Sequence, residues 1–417
     1  MQMSQGLTTV AKNAYGLIER IFPYLFMILA FTIPLVKGVP GIVHVTIVIL
    51  FVIQMFYRRE YRIEAAKYYG IIFFFLAVSA MSLFYSSDIN DGLHILKGQC
   101  FLLVGIILIE RISSTKSARH CLYAYVVGGT ILACIGAYQG YFLNVHRPPN
   151  INDLQWVWAG NLLMITSLVL LALMTGEKKI AIKVLNALML IANGIALYFN
   201  GTRGVWVALI AIIFMLPLIQ PGFRLKTKLI YLISFVIITV VGCNIKYFHE
   251  RISEAKADLA AYESSKADTS LGARFEMWKT SASMIREHPF LGVGTGSWKT
   301  ELKKRIEQHR APGFLGIYGQ THSIYFDALS TRGPLGLVSL LLLIAFPMFY
   351  AWNRREPENM LYRNVVIFAA IGFLISGLTD TLILLRLVFM SYVLVTGLGL
   401  AVLFRPCQGK IEQQPAE

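Results

Sequence analysis

From Phe22 onward the chain alternates long apolar blocks with short polar connections. The blocks run about 15 to 22 residues, enough to cross a bilayer as tilted helices. They lie near Phe22–Val36, Gly41–Phe56, Tyr69–Tyr85, Leu93–Ile109, Leu122–Phe142 and Trp156–Met174. Six more follow near Ala181–Tyr198, Val205–Leu218, Leu229–Cys243, Leu335–Tyr350, Val365–Leu378 and Leu387–Leu403. The expected fold class is an all-α integral membrane protein of about twelve transmembrane helices. One connection breaks the rhythm. Tyr247–Arg332 is polar and roughly 85 residues long, far beyond an ordinary connection. The expected organisation is transmembrane helices 1–9 in residues 1–246, one large outer loop in 247–333, helices 10–12 in 334–404 and a disordered tail in 405–417.

Within the loop, "HERISEAKADLAAYESSKA" reads as a solvated amphipathic helix and "SLGARFEMWKTSASMIREHPF" as a second, with Ser270 its N-cap. "LGVGTGSW" reads as a glycine-rich loop, weak as a dinucleotide motif because no strand and helix flank it. "SIYFDALSTRG" reads as a short helix ended by Gly333, with Pro334 opening the tenth span. Lys303, Lys304, Arg305, His309 and Arg310 form a cationic run, read as solvated or as facing an anionic lipid acceptor.

Composition agrees with the blocks. Of 417 residues, 56% are hydrophobic and 15% charged, and mean hydropathy is +0.61. The basic residues fall in alternate connections: Arg58, Arg59, Arg62 and Lys67; Arg111, Lys116 and Arg119; Lys178, Lys179 and Lys183; Arg224, Lys226 and Lys228; Arg354 and Arg355. By the positive-inside rule these connections and both termini are cytoplasmic, and the intervening ones lie outside. The net charge of +15 then reflects topology and anionic lipid, with no nucleic-acid partner required. The N-terminus lacks a signal-peptide cleavage pattern, and the stretch before Phe22 can lie along the membrane surface. Five cysteines without CxxC spacing indicate neither a disulfide framework nor a zinc site.

The polar residues that break the pattern gather on the outer side: Arg203 in "NGTRGVW", Arg274 in "SLGARFEMW", His322 in "QTHSIYF", and Asp380 and Arg386 around "GLTDTLILLR". Each has an ordinary explanation. A histidine at a helix start is usually a cap or surface residue. An arginine at a membrane boundary usually snorkels to lipid phosphates. Asp380 can cap a turn or pair with Arg386. "DIND" at Asp88–Asp91 is a solvated loop more readily than a metal site. No charged residue stands at mid-span, no repeat is inverted and no filter motif occurs, which argues against an ion-coupled transporter or a channel.

One pattern shifts the balance. His322-Ser323, nine residues and then Gly333-Pro334-Leu335-Gly336 fit H-[N/S/Q]-x9-G-x-x-G. This resembles the signature of the O-antigen ligase family, whose members join O-antigen polysaccharide to lipid A–core. "GTRG" at Gly201–Gly204, "LGAR" at Leu271–Arg274 and "GLTD" at Gly377–Asp380 with Arg386 are similar to the family's arginines and acidic turn. O-antigen polymerases and protein oligosaccharyltransferases share the topology and remain alternatives, as does, in another class, an exporter with no chemistry.

The resemblance implies an inner-membrane glycosyltransferase of the GT-C type, working at the periplasmic leaflet. Its partners would be O-antigen on undecaprenyl pyrophosphate, lipid A–core and membrane lipids. Catalytic roles would fall to His322 as base and to Arg203 and Arg274 as phosphate forks. Ser323, Tyr325, Asp380 and Arg386 would contact substrate. Arginines in the cation role imply inverting transfer with no metal and no cofactor.

Overall fold

A computed structural model describes residues 2–55, 62–112, 114–149, 155–220, 224–243, 246–264 and 266–405. Arg58, Arg59 and nearly all of the expected tail lie outside the described residues. The helices are α1 Gln2–Thr32, α2 Val39–Met55, α3 Ala66–Met81, α4 Ile89–Gln99, α5 Leu102–Arg111, α6 Thr115–Tyr141, α7 Trp156–Gly176 and α8 Ile180–Asn200. After them come α9 Arg203–Ile219, α10 Leu225–Cys243, α11 Lys246–Glu263, α12 Ser270–Glu287, α13 Trp298–Glu307, α14 Ile324–Trp352, α15 Met360–Ser376 and α16 Arg386–Leu403. Each apolar block lies on a helix. Among the described residues, 8 helical stretches are long and apolar enough to cross a membrane, and Val39–Met55 and Arg203–Ile219 are shorter apolar helices. This is a multi-pass, all-helical membrane protein.

Two expectations change. The block Leu93–Ile109 is two helices, because the chain leaves α4 at Cys100 and re-enters helix at Leu102. The stretch before Phe22 is continuous with the first span in α1, which carries Pro23 inside it.

Helices α7, α15 and α16 form the buried centre. Small residues allow the close approach that membrane helices need in place of a hydrophobic drive. A Cβ on Gly397 would stand 3.4 Å from the Cα of Gly105, so α16 and α5 nearly touch backbone to backbone there.

At one end of the bundle, arginines meet helix-terminal carbonyls. Arg62 donates to Ala401 O at 2.6 Å and Ile112 O at 2.9 Å, and its own amide donates to Glu110 at 3.1 Å. Arg405 donates to Ile112 O at 2.8 Å, Arg363 to Ile219 O at 3.0 Å, and Arg119 pairs with Glu177.

The long connection packs into a helical unit with its own small core of Ala273, Met277, Met284, Val293, Trp298, Leu302, Ala311 and Leu315. Trp298 Nε1 donates to Ser281 Oγ at 3.0 Å. The N-cap of α12 is Thr269, whose hydroxyl accepts from Gly272 N–H at 3.1 Å, one residue before the expected Ser270. The cationic run is not uniformly solvated. Lys303, Lys304 and Arg305 lie on α13, with His309 and Arg310 beyond its end, and Arg305 is buried between Glu287 at 2.6 Å and Glu301 at 3.0 Å. Burial would raise the Glu301 carboxyl, but its bonds to Lys304 and Arg305 outweigh that and hold it below the usual glutamate range.

The glycine-rich loop is a clasp. Gly292, Gly294 and Gly296 have φ of 68°, 95° and 88°, where a side chain is strained. Val293 and Gly294 N–H donate to Ser330 O at 2.8 Å and Thr331 O at 2.9 Å. Ser86 Oγ donates to Thr295 O at 2.8 Å, and Ser87 N–H to Ser297 Oγ at 2.8 Å. The loop therefore pins the outer unit to both α14 and the connection before α4. That connection is itself held by a cap, since Asp88 accepts from Asp91 N–H at 3.0 Å. Gly333, at φ 65° and ψ −165°, breaks the helical path of α14 where the short helix was expected to end.

Candidate active site

The opposite end of the bundle collects helix N-termini. α8 ends on Gly201 in the left-handed region at φ 68°, and Thr202 then hands the chain directly to α9. That two-residue turn puts Arg203 on the first turn of a helix, where the backbone dipole disfavours a cation and favours an anion beside it. Arg203 meets Glu254 at 3.0 Å and Asp258 at 3.4 Å, both on α11. Arg274 is the fifth residue of α12. Its Nη1 donates to Ser270 O at 3.1 Å and Ser270 Oγ at 3.0 Å, and its Nε to Thr379 O at 3.3 Å. The second arginine is thereby aimed at the turn between α15 and α16.

That turn carries Asp380, which is buried. Its Oδ1 lies 3.4 Å from His322 Nδ1. His322 has φ of 49°, an uncommon conformation for a non-glycine residue and one often found at functional sites. Its neighbours hold it there. Thr321 Oγ1 donates to Ser323 O at 2.7 Å and accepts from Ser323 N–H at 3.2 Å. Ile324 N–H donates to Gly377 O at 2.9 Å, and Thr321 and Thr381 hydroxyls stand 3.2 Å apart. Tyr325 donates its hydroxyl to Leu374 O at 2.7 Å. The start of α14 is thus stitched to the end of α15, and the histidine and aspartate are fixed relative to each other.

Two hollows meet at this pair. A narrow cleft of about 70 Å³ is lined by Arg147, Trp156, Arg203, Arg274, Thr379 and Asp380. A larger cavity of about 390 Å³ is lined by residues that include Asp91, Lys97, Trp158, Gln320, His322 and Arg386. Asp380 belongs to the cleft, His322 to the cavity, and their contact is the junction. The sequence-predicted residues Arg203, Arg274, His322, Asp380 and Arg386 therefore converge. Ser323 is buried at the N-cap of α14, and the Tyr325 hydroxyl is engaged by a carbonyl; neither lines either hollow.

Sequence reasoning missed Arg147, Lys97 and Trp158. Arg147 had one visible signal: it is a basic residue in a connection of the side otherwise poor in them. The Trp158 and Lys97 positions read as ordinary boundary residues of apolar blocks, with nothing in their local pattern to single them out.

Residues 187–341 match the family model Wzy_C, described as O-antigen ligase. Over these residues the chain is similar to that family. Arg203, Arg274 and the stretch from His322 to Gly336 fall inside the matched region, whereas Arg147, Asp380 and Arg386 fall outside it. A Haemophilus influenzae protein described as uncharacterized is 24% identical over 290 residues, covering 68% of this chain and 72% of that protein. An O-antigen ligase of Escherichia coli K12 is 26% identical over 165 residues, covering 39% of this chain and 38% of that protein. The match thus spans well under half of the curated ligase.

Proposed function

We propose that the protein is an O-antigen ligase. It transfers O-antigen polysaccharide from undecaprenyl pyrophosphate to a sugar hydroxyl of lipid A–core, at the periplasmic face of the inner membrane. The observation that carries this reading is the His322–Asp380 contact at 3.4 Å, which joins an arginine-lined cleft to a cavity large enough for a sugar.

In this mechanism the donor pyrophosphate lies in the cleft, where Arg203 and Arg274 hold its oxygens as planar forks. Asp380 accepts the Nδ1 proton of His322, which sets the tautomer with a lone pair on Nε2. The acceptor sugar occupies the cavity beside His322, with Trp158 offering an apolar ring face and Arg386 and Lys97 offering cationic edges. His322 takes the acceptor hydroxyl proton. The acceptor oxygen bonds to the anomeric carbon as the bond from that carbon to the pyrophosphate breaks. Undecaprenyl pyrophosphate leaves with the electron pair, stabilised by the arginines as its charge grows. A single displacement inverts the anomeric centre. Ser323 and Tyr325 act by orienting the histidine turn.

The test is a reconstitution of the full chain with glycan-linked undecaprenyl pyrophosphate and lipid A–core, read on a gel and repeated with EDTA. Glycan appearing on lipid A–core, with chelator having no effect, is expected. Elongated lipid-linked glycan without lipid A–core would make the protein a polymerase, and glycan on added protein would make it an oligosaccharyltransferase.

A further inference from the structure

Arg147 lies in the connection before α7, and its backbone occupies φ 56°, a conformation that persists in a non-glycine residue when its surroundings hold it. The holding groups are visible. Its guanidinium lies over the Trp156 ring, 4.4 Å from the centroid. Asn200 Nδ2 donates to Pro148 O at 2.8 Å, immediately after Arg147, and to Trp156 O at 2.9 Å. Asn200 Oδ1 accepts from the Thr202 hydroxyl, immediately before Arg203. One buried asparagine therefore ties the Arg147 segment to the Arg203 turn. Gly160 makes room for this knot, since a Cβ there would stand 2.6 Å from Asn200 Oδ1 and 2.7 Å from Thr202 Oγ1.

Arg147 and Arg203 thus come from different connections but are fixed to each other, and both line the cleft that Arg274 and Asp380 close. Three arginines and one carboxylate, Asp380, line the cleft, and that carboxylate lies 3.4 Å from His322. Arg203 is also paired with Glu254 at 3.0 Å and Asp258 at 3.4 Å on α11. Two forks reach the four non-bridging oxygens of the donor's pyrophosphate diester, but a fifth terminal oxygen and a further charge appear as the sugar leaves, and a cleft with three cationic sides suits that leaving group. Stacking on an indole uses the face of a guanidinium, whereas phosphate binding uses its edge, so Trp156 can set the plane without blocking the function.

We infer that Arg147 is a third phosphate-holding residue, which binds the pyrophosphate of the lipid-linked donor together with Arg203 and Arg274. The inference rests on the donor class proposed above.

The experiment is titration of undecaprenyl pyrophosphate into the full chain, held in nanodiscs of zwitterionic lipid and followed by calorimetry. Wild type, Arg147→Gln, Arg147→Lys and Arg203→Gln are compared, each with its thermal midpoint. Wild type and Arg203→Gln test the donor class, and if wild type does not bind, that reading falls. If wild type binds, Arg147→Gln is expected to lose about tenfold or more in affinity at an unchanged midpoint, the usual worth of a charged hydrogen bond. Affinity within about twofold of wild type overturns the inference and leaves the donor class standing. If the glutamine variant fails to fold, Arg147→Lys decides. It keeps the aliphatic stem over Trp156 but offers a point charge, and weaker binding supports the inference where wild-type binding overturns it. Phosphatidylglycerol added in place of undecaprenyl pyrophosphate separates the two sources of phosphate. Equal affinity for it would reduce the cleft to a lipid-headgroup contact and overturn the assignment.

Discussion

Arginine is used differently at the two ends of the bundle. At one end Arg62, Arg363 and Arg405 donate to Ala401, Ile219 and Ile112 carbonyls, the last groups of α16, α9 and α5. Helix C-termini are partially negative, so cations there complete the fold. At the other end Arg203 stands on the first turn of α9, where the dipole opposes it, and Arg274 is the fifth residue of α12. A cation at a helix N-terminus costs stability unless an anion arrives. The same side chain completes helix ends at one end of the bundle and, at the other, lines the cleft proposed to hold the donor.

The largest test of that contrast is His322→Ala. Transfer should fall by about two to four orders of magnitude, the usual worth of a general base, with the protein still folded. Turnover near wild type would remove the histidine from the chemistry. Next come Arg203→Lys and Arg274→Lys, which keep charge and lose the fork. Each should lower kcat by about tenfold or more, and more than it raises the donor KM. Arg62→Lys is the matching change at the opposite end. It should leave transfer unchanged and lower unfolding stability by about 1 kcal/mol. Equal activity losses at both ends would dissolve the comparison.

The sidedness of the protein is tested by single cysteines at the exposed Lys303 and Gln308 of the outer unit, expected to react with an impermeant thiol reagent in spheroplasts, against one at Lys226, expected to stay unreacted. The smallest effect concerns the outer unit. Glu301 has a lowered pKa in the fold, so its ion pairs stabilise α13 above the ordinary glutamate range. That contribution is lost as pH falls through the lowered value. Protection against hydrogen exchange across Trp298–Glu307, corrected for the intrinsic pH dependence of amide exchange, should fall on acidification in wild type and much less in Glu301→Gln.

The helices were legible because a bilayer demands continuous apolar runs, and such runs are visible without any partner. The break between α4 and α5 was not, because Leu93–Ile109 contains no proline, and its few polar residues, His94, Lys97 and Gln99, do not interrupt the apolar block enough to mark it. The core of the outer unit was also hidden. Trp298, Leu302 and Leu315 are thinly spaced among charged residues, and only tertiary contact unites them. Arg305 looked solvated because its partner Glu287 lies on another helix. Of the candidate site, Arg203, Arg274, His322 and Asp380 stood out as polar residues at boundaries of apolar blocks. Arg147 did not, since its link to Arg203 runs through Asn200, and such a bond leaves no trace in linear order.

The glycine clasp bears on how the protein can be handled. A Cβ on Gly292 would sit 2.6 Å from Ser330 O, and one on Gly294 2.6 Å from Ser86 Cα. Neither position has space for a reporter or an affinity tag, and even alanine would push the outer unit off its seat. The exposed turn at Gln308 and His309, beyond the end of α13, is the better address for a fluorophore meant to watch that unit. A label there would ride on a body clamped from two sides, so its signal would report the motion of that unit rather than of a loose tether.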